Sequence, residues 1–152
     1  NQETAATDGG WLVGNAAALS SPAFGIADHT IMIATNDDDC DCDKSNDLLI
    51  LPSVDVSGLT NPYVQFALYY FEGTYSGDTE DLTLEASTDG GYSWDVVSNF
   101  GYETASWRTE FVDLSAYAGE TDLILAFRYD DGGGWLFGAA IDDIKVIDAD
   151  LS

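Results

Sequence analysis

Apolar residues in this chain recur at every second position, and turn-forming residues separate the runs, so strands are expected throughout. Thr30–Ala34 (TIMIA) is a short apolar run. Tyr63–Phe71 (YVQFALYYF) is long and aromatic, bounded by Pro62 and Gly73. Asp81–Ser87 alternates, with Leu82, Leu84 and Ala86 on one face and Thr83 and Glu85 on the other. Trp107–Leu114 is a further candidate. Leu123–Tyr129 puts Leu123, Leu125, Phe127 and Tyr129 on one face, and Ala139–Ile147 closes the chain. Seven or eight strands at this spacing predict an all-β fold of two packed antiparallel sheets, a β-sandwich. The one helix-like stretch surrounds Leu114–Ala118 and ends at Gly119. No tandem repeat or linker is visible. Residues 1–10, rich in Thr, Ala and Gly, are expected to be loose, and residues 11–152 to form one domain.

Within YVQFALYYF one parity set must face the core and the other the outside. Two neighbours among Tyr69, Tyr70 and Phe71 can both be buried only if both faces of the strand are covered.

A chain of 152 residues with 45% apolar content is long enough for one well-filled core. Its charge narrows the choice of partners. Four Lys and Arg oppose 28 Asp and Glu, for a net −24. Such a surface repels phosphate backbones and anionic lipid, so neither nucleic acid nor a membrane surface is expected as partner. It suits a domain bathed in cations or a saline habitat. No stretch is apolar enough to insert into a membrane, and Asn1 reads as the start of a mature or excised fragment. Scarce Lys with abundant Asn, Gly, Ser, Thr and Tyr points to an extracellular setting.

The charge concentrates in residues 34–47, ATNDDDCDCDKSND, with six Asp and two Cys. From Asp39 onward, carboxylates fall at relative positions 1, 3, 5 and 9: Asp39, Asp41, Asp43 and Asp47. Alternate side chains can turn to one point, where a hard cation wants six to eight oxygens, so this loop predicts bound Ca2+. Lys44 stands where an EF-hand has glycine and Ile50 where it has glutamate, so a free-form calcium loop between strands is expected. Unscreened by an ion, carboxylates roughly 6 Å apart repel by about 0.7 kcal/mol per pair in water. A solvated acidic loop is the plainer alternative. Cys40 and Cys42 are too few for a zinc site and lack the spacing of a redox motif. They form either a small local disulfide or two free thiols.

Three further features bear on chemistry. Ser87–Trp94 (STDGGYSW) has the S-x-D-x-G-x-[ST]-W pattern of an Asp-box, a hairpin brace. Ala140-Ile141-Asp142-Asp143-Ile144 sets paired acids in an apolar strand, which calls for a compensating cation: a metal, or else Arg128 or Lys145. Asp28, just before His29-Thr30, could approach the same ion. Catalysis is not expected. One histidine and no serine elbow are present, and acidic surroundings oppose a Cys40 or Cys42 thiolate.

Tyr69, Tyr70, Phe71, Tyr75, Tyr92, Tyr102, Trp135 and Phe137 could supply an exposed aromatic platform for a ligand, although most aromatics in a sandwich are core. Gly132-Gly133-Gly134-Trp135 is the more telling piece, because a Trp after three glycines is expected on a mobile loop, where binding residues often lie. Tyr75 and Trp135 are the candidate ligand-binding residues.

In order along the chain, DLLILPSVDVSGLTNPYVQFALYYF, LTLEASTDGGYSWDVV and SWRTEFVDLSAYAGETDLILAFRYDDGGGWLFGAAIDDIKV resemble the bacterial MAM-like, or cleaved-adhesin-type, jelly-roll domain. Asp28-His29-Thr30 resembles the D-H-T of MAM domains. The resemblance implies a two-sheet antiparallel jelly-roll β-sandwich, secreted and attached to peptidases, glycoside hydrolases or adhesins. It implies a non-catalytic module stabilised by structural calcium, with Asp28 and Asp142 as candidate ligands beside the 36–47 loop. Eukaryotic MAM disulfides are missing. An acidic ligand usually precedes the Trp11 region, and only Glu3 or Asp8 is available for it. The expectation is therefore an extracellular accessory module that binds carbohydrate or a cell-surface or matrix protein beside other domains of a parent chain. A spacer next to a secreted peptidase or glycoside hydrolase is the alternative, and a hydrolase the remote one.

Overall fold

The structure is a computed structural model that describes residues 10–40 and 42–152. Two antiparallel sheets face each other. The first has the order β1-β2-β11-β4-β9, from Leu12–Gly14, Met32–Asn36, Gly138–Asp148, Pro62–Tyr69 and Trp107–Asp113. The second has the order β3-β10-β7-β8, from Asp47–Ile50, Ile124–Asp130, Asp81–Ser87 and Asp95–Phe100. A two-stranded hairpin, β5 (Thr74–Tyr75) and β6 (Asp78–Thr79), stands apart.

Alternation decides what each strand buries. Val64, Phe66 and Leu68 of β4 meet Leu82 and Leu84 of β7 and Leu125, Phe127 and Tyr129 of β10 between the sheets. Phe66 stands edge-on to Phe127, ring centres 4.9 Å apart, and to Phe100 at 5.8 Å. Burying each such ring contributes about 1.5–3 kcal/mol. Trp11 closes this core and donates its indole N–H to the carbonyl of Asp47 at 3.1 Å.

Residues 15–30 wrap over the outer face of the first sheet and build a second, smaller core. Ala16 and Leu19 of a one-turn helix α1 (Ala16–Leu19), with Phe24 and Ile26, cover Met32, Ala34, Tyr69 and Ala140. Tyr69 and Tyr70 are therefore both buried, on opposite faces of one strand. Tyr69 donates to the Gly25 carbonyl at 2.9 Å and Trp107 to that of Ala27 at 2.8 Å, which pins the wrap.

Several sequence expectations need adjusting. The early strand starts at Met32 rather than Thr30, because Thr30 is drawn to Asp142. Leu12–Gly14, Asp47–Ile50 and Asp95–Phe100 are strands whose short or polar runs carry little periodicity. Asp37–Cys40 forms a single helical turn, α2, inside the acidic loop. The stretch near Leu114 is a 3-10 turn, Ser115–Tyr117, followed by Gly119 at φ 89°. Residues 1–9, expected to be loose, lie outside the described residues, whereas Gly10 is buried.

Candidate functional site

Three connections meet at one end of the sandwich: β2 to β3 (residues 37–46), β4 to β7 with its hairpin, and β10 to β11 (residues 131–137). The last carries Gly132–Gly134 and Trp135. The glycines are there for close approach. A Cβ on Gly132 would sit 2.4 Å from the Thr79 carbonyl oxygen, and one on Gly134 would sit 2.5 Å from Asp78 Oδ2. Gly132 and Gly133 also have φ of 66° and 85°, which glycine adopts without strain.

This connection is tied down along its length. Gly132 N–H donates to Asp130 and Gly133 N–H to Asp131, both at 2.8 Å. Leu136 N–H donates to Asp37 at 2.5 Å, and Phe137 and Gly138 N–H to Glu80 at 3.2 Å. The Trp135 indole N–H donates to the Asp38 carbonyl at 3.0 Å. Asp38 is itself fixed, its carboxylate accepting from Ser21 at 2.5 Å and Ala23 N at 3.0 Å. The loop expected to be mobile is thus a framed ledge for Trp135, which stays 50% exposed, with Tyr75 60% exposed nearby.

Trp135 divides two hollows. One, of about 250 Å³, is lined by Ala23, Asp38, Tyr75, Trp135, Leu136 and Phe137. The other, of about 370 Å³, is lined by Cys42, Asp43, Asp131, Gly133, Gly134 and Trp135. Pockets that engulf a drug-sized ligand run to roughly 300–1,000 Å³; these hollows sit at or below the low end of that range and suit contact with the face of an extended ligand. No Lys or Arg lines either one.

Of the other aromatic candidates, Tyr69 and Tyr70 are core. Phe71 packs on Phe137, ring centres 4.9 Å apart, under the ledge. Tyr102 lies beneath the Arg108 guanidinium at 3.6 Å. Tyr92 is 95% exposed, at the opposite end of the sandwich. There the Asp-box is formed as its pattern implies: Asp89 accepts from Ser93 N at 2.9 Å and Ser93 Oγ at 2.5 Å, and those bonds with one from Ser87 hold its carboxyl at about 2.

The candidate metal residues fall in separate places. Asp28 is exposed. Asp39 is exposed on α2, Asp43 accepts from Ser45 N at 2.9 Å, and Asp41 lies outside the described residues. Asp47 is fully buried, accepting from Thr35 Oγ1 at 2.7 Å and facing the Lys44 ammonium at 3.4 Å. Asp142 sits where β11 bulges, next to Asp143 at φ 53°. Its Oδ2 meets His29 Nδ1 at 2.8 Å and Thr30 Oγ1 at 2.5 Å, and its Oδ1 accepts from Asp143 N at 2.7 Å. Burial raises this carboxyl, and the hydrogen bonds from Thr30, His29 and Asp143 outweigh that and bring it below its ordinary value. Neither Arg128, held by Glu85 at 2.5 Å, nor Lys145 compensates it.

Among the described residues, His29, Asp142 and Asp143 are the one group of three potential metal-ligating side chains. An imidazole and two carboxylates fall short of the oxygen cage calcium needs. A more suitable cation ligand lies in the same 36–47 loop, at a residue the sequence reading did not name. Asp37 is fully buried, its Oδ1 has no hydrogen-bond partner, and burial with Asp131 nearby lifts its carboxyl to about 6 against the bond from Leu136 N. An orphaned, buried carboxylate oxygen is costly alone and is what a cation would satisfy.

The arrangement offers little for catalysis. The Thr30 hydroxyl, 3.5 Å away, and the Asp142 carboxylate both face His29 Nδ1, whereas a nucleophile relay uses opposite ring nitrogens. Cys40 and Cys42 are joined in a disulfide, so neither is a thiol. The raised acids Asp37 and Glu80 are fully buried away from solvent, with one oxygen of Asp37 and both of Glu80 accepting from backbone amides.

No family model and no curated protein matches the chain. Solved structures do. The K1 cleaved adhesin domain of Lys-gingipain from Porphyromonas gingivalis W83 superposes with a TM-score of 0.55 at 15% identity, covering 92% of this chain and 91% of that one. The fold is that of a cleaved-adhesin domain. This jelly-roll sandwich is shared with part of the chain that holds the CBM22-1-GH10 modules of a Clostridium thermocellum endo-1,4-beta-D-xylanase complexed with xylohexaose, at TM-score 0.54, 13% identity and coverage of 91% and 24%. TmCBM61 in complex with beta-1,4-galactotriose follows at 0.51, 12%, 91% and 88%. The cleaved-adhesin resemblance of the sequence thus holds in the fold, and no helix among the described residues is long and apolar enough to cross a membrane.

Proposed function

We propose that this domain is a non-catalytic extracellular binding module that captures an uncharged glycan on Trp135 and Tyr75. The observation that carries the reading is the framed ledge: a half-exposed Trp on a loop whose amides are taken up by fixed acceptors, facing an exposed Tyr across a shallow apolar hollow. Sugar rings stack on such faces, and a ledge set in advance loses little entropy on binding. Asp38 and Asp43, with no Lys or Arg lining either hollow, disfavour uronates and sulfated sugars. The xylohexaose and galactotriose complexes of proteins with this fold support the choice of glycan. The disulfide supports an oxidising, extracellular setting.

Titration calorimetry against xylohexaose, galactotriose and a wider array of neutral and acidic glycans tests this. Trp135→Ala and Tyr75→Ala are each expected to weaken a neutral-glycan complex at least tenfold, about 1.4 kcal/mol. Binding by a surface protein alone, or undiminished binding by both variants, would refute the site.

Calcium remains part of this reading. Asp37 would hold the ion through its unpartnered Oδ1, with the acids of the 36–47 loop alongside, and the ion would neutralise buried charge. Chelation with EDTA is expected to lower the melting temperature of the wild type, and Asp37→Asn to remove that difference. Equal melting of the wild type with calcium and with EDTA would sink the idea.

A further inference from the structure

One buried carboxylate links the two halves of the aromatic ledge. Glu80, just before β7, is fully inaccessible. Its Oε1 accepts from Gly73 N at 3.1 Å, at the root of the hairpin that carries Tyr75. Its Oε2 accepts from Phe137 N and Gly138 N, both at 3.2 Å, at the end of the connection that carries Trp135, and from the Tyr129 hydroxyl of β10 at 2.5 Å. The fit leaves no slack: a Cβ on Gly73 would lie 2.4 Å from the Phe137 ring and 2.8 Å from Glu80 Oε1. We propose that Glu80 is the positioning residue of the binding ledge, fixing where Tyr75's hairpin sits relative to Trp135's loop. This rests on the glycan reading for its functional consequence, though not for the linkage itself.

Ionisation matters to such a clamp. A carboxylate accepts strongly on both oxygens, whereas a carboxylic acid is a weaker acceptor and carries one O–H, which the Tyr129 hydroxyl can accept only by giving up its own donation to Glu80. Burial raises the Glu80 carboxyl to about 7 despite the bonds from Tyr129, Gly73, Phe137 and Gly138. The titratable groups around it are Tyr129 on β10, Tyr70 after β4, and Glu72, Asp81 and Asp37 beyond them. The clamp is therefore tightest above neutral pH, and its bonds to the two loops weaken below it.

The test follows backbone amides by NMR and glycan affinity by calorimetry between pH 6 and 8. In the wild type, the Gly73, Phe137 and Gly138 amides and the Trp135 indole N–H are expected to titrate with one midpoint near 7, while Gly91 and Ser93 of the distant Asp-box stay still. Glu80→Gln is expected to abolish that titration, speed exchange of the Gly73 amide at least fivefold, weaken xylohexaose binding at least fivefold and flatten its pH dependence. Where Glu80→Gln does not fold, Tyr129→Phe removes one donor and is expected to shift the midpoint upward. Amides that do not titrate, or a midpoint unmoved in Tyr129→Phe, would overturn the proposal. If the amides respond but no neutral glycan binds the wild type, the glycan reading falls and Glu80's hold on the two loops stands.

Discussion

Trp135 is half exposed in a protein whose other large aromatics are mostly enclosed, and the chain spends Asp37, Asp38, Asp130, Asp131 and Glu80 on keeping it there. Acidic side chains, so numerous in this sequence, act here as acceptors for backbone amides that a turn leaves unpaired. Replacing Trp135 or Tyr75 with Ala should leave stability nearly unchanged, with melting temperatures within about 3 °C of wild type, because both side chains face solvent. A large drop in melting for either would show that it serves packing. Trp135's exposure could be anticipated from sequence, since a Trp beside three glycines is unusual. Its framing could not, because Glu80 is 55 residues from Trp135 and nothing local marks it as a partner.

At the scale of elements, the wrap of residues 15–30 is the part that departs most from a simple sandwich. It explains why Tyr69 and Tyr70 are both buried and why the first half of β11, Gly138–Ile141, is buried on both faces. Phe24, 1% exposed, is the centre of this second core and touches Tyr69 at a ring-centre distance of 6.1 Å. Phe24→Ala should cost about 3–5 kcal/mol in chemical unfolding. It should also open the segment to proteolysis and change the fluorescence of Trp107, whose indole N–H is held by Ala27. A cost below 1 kcal/mol would mean the wrap contributes little to the fold. Sequence alternation predicted that two such neighbours need cover on both faces, and left open which segment would supply it.

For the molecule as a whole, the charge sets how stability follows pH and salt. Glu80 and Asp37 have carboxyls raised to about 7 and about 6 in the fold, above their ordinary values near 4.5 and 3.8. Between those limits the folded form binds more protons than the unfolded one, so stability falls as pH rises from about 4.5 to 7. Glu80 accounts for on the order of 3 kcal/mol of that fall. Asp89, lowered to about 2, and Asp142, also lowered, act oppositely: their contribution is present above about pH 4 and lost as pH falls through their folded values. Urea unfolding should therefore show greatest stability near pH 5, with Glu80→Gln flattening the decline above it. A maximum at pH 8 in the metal-free protein would contradict this. Added NaCl should raise the melting temperature, since of four basic residues Lys44 is buried, Arg108 lies on Tyr102 and Arg128 is held by Glu85.

Sequence alone determined the strand periodicity, the two-sheet class, the Asp-box hairpin and the pairs Leu82–Leu84 and Phe127–Tyr129 as core, because each follows from alternation or from contacts within a few residues. It also marked Trp135, through the three glycines before it, as a residue expected outside the core, and Trp135 and Tyr75 are both exposed. What only the tertiary structure decided is which acids meet. Asp47 turned inward to Lys44 and Thr35, Asp142 went to His29 and Thr30, and Asp37 and Glu80, inconspicuous among 28 acids, became the buried supports of the ledge. The reason is range: a side chain's face is set by its neighbours along the strand, whereas a carboxylate's role is set by whichever amide or cation a distant crossover brings beside it.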